Sequence, residues 1–363
     1  MSFIQIHNRQ RGFTLIELMI ALVLGLLLVA GVTQVFVANK QTYRVTDAHS
    51  RLQDNARFSL EVLSRDIRSA GYAGCRSIEK MNVNLIANAP VPAEMSADTI
   101  ITGSEASTST TWSPALPASL GTVVGGTDVI TLQRGTGCGA TLTGNVGSSS
   151  AQIQVAAPNS CNISAGDILM IADCEDAHIF RATNASTITS SSTSQNIAHS
   201  ATGNGSTHFC IDNASVGTGS CGTGNVKLYN YDAELFKFSA ITYFIRLGTN
   251  GNPALWSYDL TAASGASNPS ELIEGIENFQ VLYGADDNDD DIVDRYVTAK
   301  VINDATEWDK VIGAQINILA QTLDTNLTTS SQTVDFNGGT ITGTEGRLRR
   351  VFSTTIAIRN RVQ

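Results

Sequence analysis

Apolar positions divide the chain into stretches of three different periods. From Phe13 to Ala38 they are nearly continuous, and Met19 to Val32 is an unbroken run of fourteen apolar or glycine residues. As a helix, 13–38 would reach about 39 Å, enough to cross a bilayer with some tilt. From Val45 the apolar residues step by three or four: Val45, Ala48, Leu52, Ala56, Leu60, Leu63, Ile67, Ala70. That is one stripe of an amphipathic helix. Arg44, Arg51, Asp54, Arg57, Glu61, Arg65 and Asp66 take the other faces. No proline precedes Pro90, and Gly71 and Gly74 offer a stop. The spacing predicts a single helix from about Thr14 to Ser69. A membrane anchor followed by a separate short helix is the alternative, which Gly25 and Gly31 leave open.

After Gly71 the period changes to two. Thr242–Arg246 and Ala254–Asp259 flank Thr249-Asn250-Gly251-Asn252, the signature of a hairpin with an Asn-Gly turn. Phe279, Val281 and Tyr283 alternate with polar or outward positions, as do Ala314, Ile316 and Ile318, and then Phe352, Thr354, Ile356 and Ile358. Val129–Leu132, Ile153–Val155 and Ile168–Ile171 are further strand candidates. Ser/Thr/Gly/Asn-rich stretches near 102–126, 140–150 and 182–223 read as loops inserted in one head. One long helix followed by strands predicts an α+β fold: a long N-terminal α-helix packed on a C-terminal antiparallel β-sheet head with long loops.

Composition narrows the class. The 363 residues carry a formal charge of −10, with 15% charged and 42% hydrophobic side chains. The average hides a gradient. Residues 1–12 carry +2 through Arg9 and Arg11, residues 40–80 carry +3, and residues 81–346 carry −19. A uniformly basic nucleic-acid binder is disfavoured. Full disorder is disfavoured by the apolar content, and a polytopic membrane protein by the single long apolar run. Arg9 and Arg11 before that run keep the leader cytoplasmic and send the C-terminal bulk out. A cleaved secretory signal shares the basic flank, and Ala21 to Ala38 holds small residues. Thr14 and Glu17 at the start of the apolar run, and its continuation into an amphipathic helix, argue against one.

Glu17 is the anomaly. A carboxylate in a membrane segment costs roughly 2.5–3.5 kcal/mol and marks function unless it snorkels. Gly12-Phe13-Thr14-Leu15-Ile16-Glu17, after a basic leader and before about twenty apolar residues, resembles the processing motif of type IV prepilins and pseudopilins. The resemblance implies cleavage by a prepilin peptidase after Gly12, N-methylation of Phe13, and a role for Glu17 in setting the subunit against the N-terminus of its neighbour. Leu52 to Cys75, Tyr283 to Ala299 and Arg347 to Val362 resemble the PilW group of minor pilins. The likeness is carried by 12–80 and 275–363 and is weak between them. It implies a leader over 1–12, a helix over 13–70 with 13–38 transmembrane, and a periplasmic or extracellular head over 71–363. It implies a Gram-negative inner-membrane protein that enters a priming or tip complex of a pilus. Its partners would be other minor pilins, the major pilin and a tip adhesin, and the pilus would serve adhesion, twitching motility or DNA uptake. A type II secretion pseudopilin is the alternative within the superfamily. A signal-anchored periplasmic enzyme or lectin is the alternative outside it.

Other chemistry is sparse. Cys75, Cys138, Cys161, Cys174, Cys210 and Cys221 all lie in the exported part and allow up to three disulfides, with pairing open. A zinc site using Cys174 and His178, or His208 and Cys210, lacks the paired spacing such sites need. Asp286, Asn288, Asp290, the Ile292 carbonyl and Asp294 fall at positions 1, 3, 5, 7 and 9 of a calcium-type loop. Asp291 stands where glycine is expected and Val297 where a bidentate glutamate is, so a solvated acidic turn competes. No cofactor is otherwise required. Gly217-Thr218-Gly219-Ser220-Cys221-Gly222 matches GxGxxG but precedes a strand-like segment, so it fails as a dinucleotide site. His178, His199 and His208 read as surface-loop histidines, and no catalytic motif is found, which predicts a protein that is not an enzyme.

Overall fold

The computed structural model describes residues 12–88, 99–144, 146, 152–205, 208–210, 226–262, 268–343 and 345–362. One helix of 54 residues, Leu15–Arg68, spans both N-terminal patterns, with Thr14 and Ser69 as its caps. The expected stripe faces the head: Ala48, Leu52, Ala56, Leu63 and Ile67 are buried, and Val45 and Leu60 are half-buried. The helix ends where predicted. Gly71 has φ +75°, and a Cβ there would come within 2.8 Å of Ile100 Cδ1. Both the left-handed backbone and the close approach require glycine.

The largest sheet has nine strands. Its central strand, Glu234–Leu247, pairs antiparallel with Val129–Thr141 along one edge. Its other edge takes Ile168–Ala172 and then Pro253–Asp259. The Pro253–Asp259 pairing is the predicted hairpin. Gly248 N–H donates to the Asn252 carbonyl at 2.8 Å, and Gly251 sits at φ +77° in the turn. Asn82–Leu85 beside Asp176–Arg181 is a parallel pair in a head whose other described pairings are antiparallel. A second sheet orders Arg295–Val297, Ile276–Ala285, Val311–Gln321 and Arg349–Ala357. The long helix lies against its last two strands. Leu63 and Ile67 share one core with Phe238, Phe279, Ile316 and Ile318, so Leu63→Ala would cost about 2–5 kcal/mol.

The serine- and threonine-rich stretches are more ordered than their composition predicts. Within 102–126 lie most of the strand Ile101–Ala106 and all of Trp112–Ser113. Within 182–223 lie Asn184–Ala185 and Ser194–Ala198, which extend a sheet begun by Gln152–Ala156. The insertions also own a core, built from Ile153, Val155, Ile197, Phe209 and Tyr229 against the far face of the large sheet. Alternation along Ile168–Ala172 divides the two cores: Ile168 and Met170 face the helix side, Leu169 and Ile171 the insertions. Each inserted strand supplies only one or two apolar residues, too few to register as a period.

Candidate functional site

The N-terminal end of the helix is built by a reciprocal cap. Thr14 N–H and its hydroxyl both donate to Glu17 Oε2 at 2.9 Å, and Glu17 N–H donates back to Thr14 Oγ1 at 3.3 Å. This is a capping box, which satisfies orphan donors at a helix start. Gly12 and Phe13 precede it in extended chain. Every large apolar side chain from Phe13 to Val37 is at least 55% exposed. None of this apolar stretch of the helix is covered by the head. An apolar surface of that extent on one subunit must be covered by lipid or by other helices. Within it, Thr33 returns its hydroxyl to the Val29 carbonyl at 2.8 Å, so this polar group costs little.

The second half of the helix is locked to the head. Asp66, expected on an outer face, is buried, because Arg134 and Tyr243 of the large sheet close over it. Its carboxylate takes Arg134 Nη1 at 2.8 Å, Arg65 Nε at 3.2 Å and the Tyr243 hydroxyl. Burial opposes that charge, but Tyr243, Arg134 and Arg65 together hold the carboxyl below the usual range. Asn55 Nδ2 donates to the Glu274 carbonyl at 3.0 Å, and Gln41 Nε2 to the Leu327 carbonyl at 3.2 Å. The head therefore grips the helix from about residue 41 upward and leaves the lower part bare.

The acidic loop is shaped by its own backbone. Asp286 accepts N–H bonds from Asn288 at 3.2 Å, Asp290 at 3.3 Å and Asp291 at 2.8 Å. Burial again works against the charge, and these N–H groups lower the Asp286 pKa. Asp290 Oδ1 accepts from Ile292 N–H at 2.9 Å, and Asp294 Oδ2 from Asp287 N–H at 2.8 Å. Arg295 clamps Asp287 at 2.8 Å and Glu307 at 2.5 Å. Among the described residues, no group of three or more His, Cys, Asp or Glu side chains is placed to hold a metal ion.

Cysteines and histidines serve the head. Cys75 pairs with Cys174, tying the segment after the helix to the sheet, and Cys138 pairs with Cys161. Cys210 is disulfide-bonded too; Cys221 lies outside the described residues, as does the whole GxGxxG segment, 217–222. Contrary to the surface-loop expectation, His178 and His199 are fully buried. His178 bridges the Tyr229 hydroxyl and the Cys210 carbonyl, both at 2.7 Å. His199 stacks on Phe209 at 4.7 Å. Burial lowers both imidazoles to about 4, so they are neutral at pH 7. With Cys174 and Cys210 both in disulfides and His178 bonded on both nitrogens, neither zinc reading holds. His178 lies between Ala177 and Ile179-Phe180 on a buried strand, a signal the sequence did carry, and both histidines complete the second core as aromatics.

Two family models match the chain. One, described as Type IV Pilus-assembly protein W, covers residues 242–360, and the other, a prokaryotic N-terminal methylation motif, covers 7–33. Pilin-like protein PilA3 of Thermus thermophilus is 31% identical over 83 residues, 23% of this chain and 34% of that protein. The chain thus spans about a third of the length of this relative. A solved type IV-like pilin from Thermus thermophilus covers 86% of this chain and 98% of its own at 10% identity, with a TM-score of 0.29, too low to carry an argument about fold. The methylation motif, the bare apolar half-helix and the antiparallel head together fit a type IV pilin-like protein, a class anchored in the membrane before assembly. Within that class the chain is similar to the PilW family of minor pilins, whose model matches residues 242–360. The family is a structural component of pili rather than a family of enzymes.

Proposed function

We propose that this chain is a prepilin whose leader, residues 1–12, is removed by a prepilin peptidase after Gly12, and whose new N-terminus, Phe13, is methylated. Residues 13–38 hold it in the inner membrane of a Gram-negative cell with the head, 71–363, in the periplasm. It then enters the priming or tip complex of a type IV pilus. One observation carries this: the head grips only the upper half of the helix, leaving the apolar half, Phe13 to Val37, free to exchange lipid for neighbouring helices. Its partners are other minor pilins, the major pilin and a tip adhesin. The pilus serves adhesion, twitching motility or DNA uptake. Bulky insertions with their own core suit a tip better than a repeated shaft position, where they would crowd the filament. The match to a pilus-assembly family over 242–360 favours a pilus over a type II secretion pseudopilus. Mass spectrometry of the mature N-terminus tests the processing: methyl-Phe13 supports it, and an uncut Met1 or a cut between Ala30 and Ala38 rejects it.

Assembly requires no cofactor in this scheme. Ca²⁺ in the 286–294 loop would be an accessory ligand, with oxygens of Asn288, Asp290 and Asp294 and the Ile292 carbonyl joining Asp286. A melting temperature that is the same in Ca²⁺ and in EGTA removes it.

A further inference from the structure

The last turns of the long helix and the chain's C-terminal tail enclose an open groove of about 790 Å³. Arg65, Arg68 and Arg359 line it, with Glu61 as its one carboxylate and Leu60 and Tyr72 as its apolar lining. Arg65, with 70% of its side chain exposed, shares Asp66 with Arg134. Among the described residues, Arg68 and Arg359 form no ion pair. The walls are fixed rather than loose. Arg359 N–H donates to the Arg68 carbonyl at 3.3 Å, and Asn360 Nδ2 to the Ala70 carbonyl at 2.9 Å. These bonds also occupy carbonyls at the helix end, whose negative dipole would otherwise repel an anion.

We propose that this groove docks an acidic segment of a neighbouring pilin-like subunit, with carboxylates on Arg68 and Arg359 and an apolar side chain against Leu60 and Tyr72. The inference rests on the assembly role proposed above. Guanidinium forks match carboxylates in bidentate geometry, and two without an ion-pair partner flanking apolar surface make a site for an anion carried on an apolar stem. Charge complementarity points to a pilin head as the source. This chain's own head carries −19 over 81–346, which shows the surface a subunit of this kind presents. Membrane lipid is a poor candidate. Arg68 lies thirty residues beyond Ala38 on one continuous helix, about 45 Å at 1.5 Å per residue, several times the screening length of about 10 Å. Nucleic acid is disfavoured because three arginines in a chain of net charge −10 neutralise few phosphates.

The full chain in detergent can be titrated into a short, fluorescein-labelled peptide of alternating glutamate and leucine, with anisotropy as readout. Binding should weaken with salt, and the glutamine analogue of the peptide should bind about tenfold more weakly or worse. Arg68→Glu with Arg359→Glu should weaken binding by a similar factor at an unchanged melting temperature, and the milder Arg68→Gln with Arg359→Gln should lie between. Arg51→Glu, exposed about four turns down the helix from Arg65 and outside the groove lining, should bind as the parent does. Equal binding by the doubly reversed chain would overturn the proposal, as would tighter binding of a single-stranded DNA oligonucleotide than of the glutamate peptide. Normal piliation in cells carrying the reversed chain would also overturn it. That failure is separable from failure of the assembly role, which the mass of the mature N-terminus reports independently.

Discussion

Asp66 and Arg134 meet at 2.8 Å across the junction of the long helix and the central sheet, with the Asp66 side chain only 3% exposed. The pair sits in the last turn of the helix, inside the head, and Tyr243 and Arg65 complete its shell. Breaking one side of a buried pair strands the other charge, at a cost of about 3–5 kcal/mol. Asp66→Ala should therefore lower the melting temperature of the detergent-solubilised chain sharply. Asp66→Asn, which keeps an acceptor for Tyr243, should lower it less. Equal, small shifts for the two would show that the junction is held by apolar packing alone.

Asp128 gives a pH dependence of opposite sense to the usual acid lability. It is 5% exposed and accepts N–H bonds from Ala106 at 3.1 Å and Val281 at 2.9 Å. Burial outweighs those bonds, and with the nearby Glu105 it raises the carboxyl from 3.8 to about 6. The folded state then binds more protons than the unfolded state between those two values, so stability falls as pH rises through that window. It is full below about pH 4 and lower by roughly 3 kcal/mol above about pH 6. Asp128→Asn should flatten this slope in denaturation curves collected across pH 4–7. A slope unchanged by the substitution would assign it to another group.

The two described disulfides should differ in worth. Cys75–Cys174 closes a separation of 99 residues and Cys138–Cys161 one of 23. In the chain-entropy account, the longer loop contributes about 4–5 kcal/mol and the shorter about 3. Replacing each pair by serine and comparing melting temperatures should rank them in that order. A larger loss from Cys138–Cys161 would mean that the insertion core depends on its own staple more than the head depends on the link to its first strand.

Much of this architecture was legible because its signals were long. A stripe sustained from Val45 to Ala70, with no proline to break it, placed the helix end beside Gly71. The alternations through Phe279 to Tyr283 and Ala314 to Ile318 marked strands buried on one face. What escaped was order without periodicity. Ser194–Ala198 contributes Ile197 to a core as its one large apolar side chain, beside the buried amide of Gln195, too little to make a period. Asp66 reads as a surface charge because its partners, Arg134 and Tyr243, are 68 and 177 residues away in sequence. His199 looks like a loop residue until Phe209 folds over it. The groove beside Arg68 is equally hidden, since Arg359 joins it only once the tail returns to the helix end.

Glu17 supplies the sharpest test of assembly. In the isolated subunit its carboxylate is occupied by the Thr14 N–H and hydroxyl, both at 2.9 Å. Removing it costs the helix one capping interaction, about 1 kcal/mol. That is small beside the burial of the apolar residues between Phe13 and Ala38, so insertion should survive. The processing junction at Gly12 and Phe13 is likewise intact in the variant. What is lost is the only acidic side chain between Phe13 and Ala38. In an assembled bundle it would face the methylated amine of an adjacent subunit, and an unpaired charge in that apolar setting is expensive. Glu17→Ala should therefore yield a membrane protein with a methylated Phe13 and the mature mass, in cells that fail to assemble pili. Glu17→Gln should share the defect, since it keeps the shape and the helix cap without the charge. Normal piliation by Glu17→Gln would show that hydrogen bonding, not charge, sets the subunit in place.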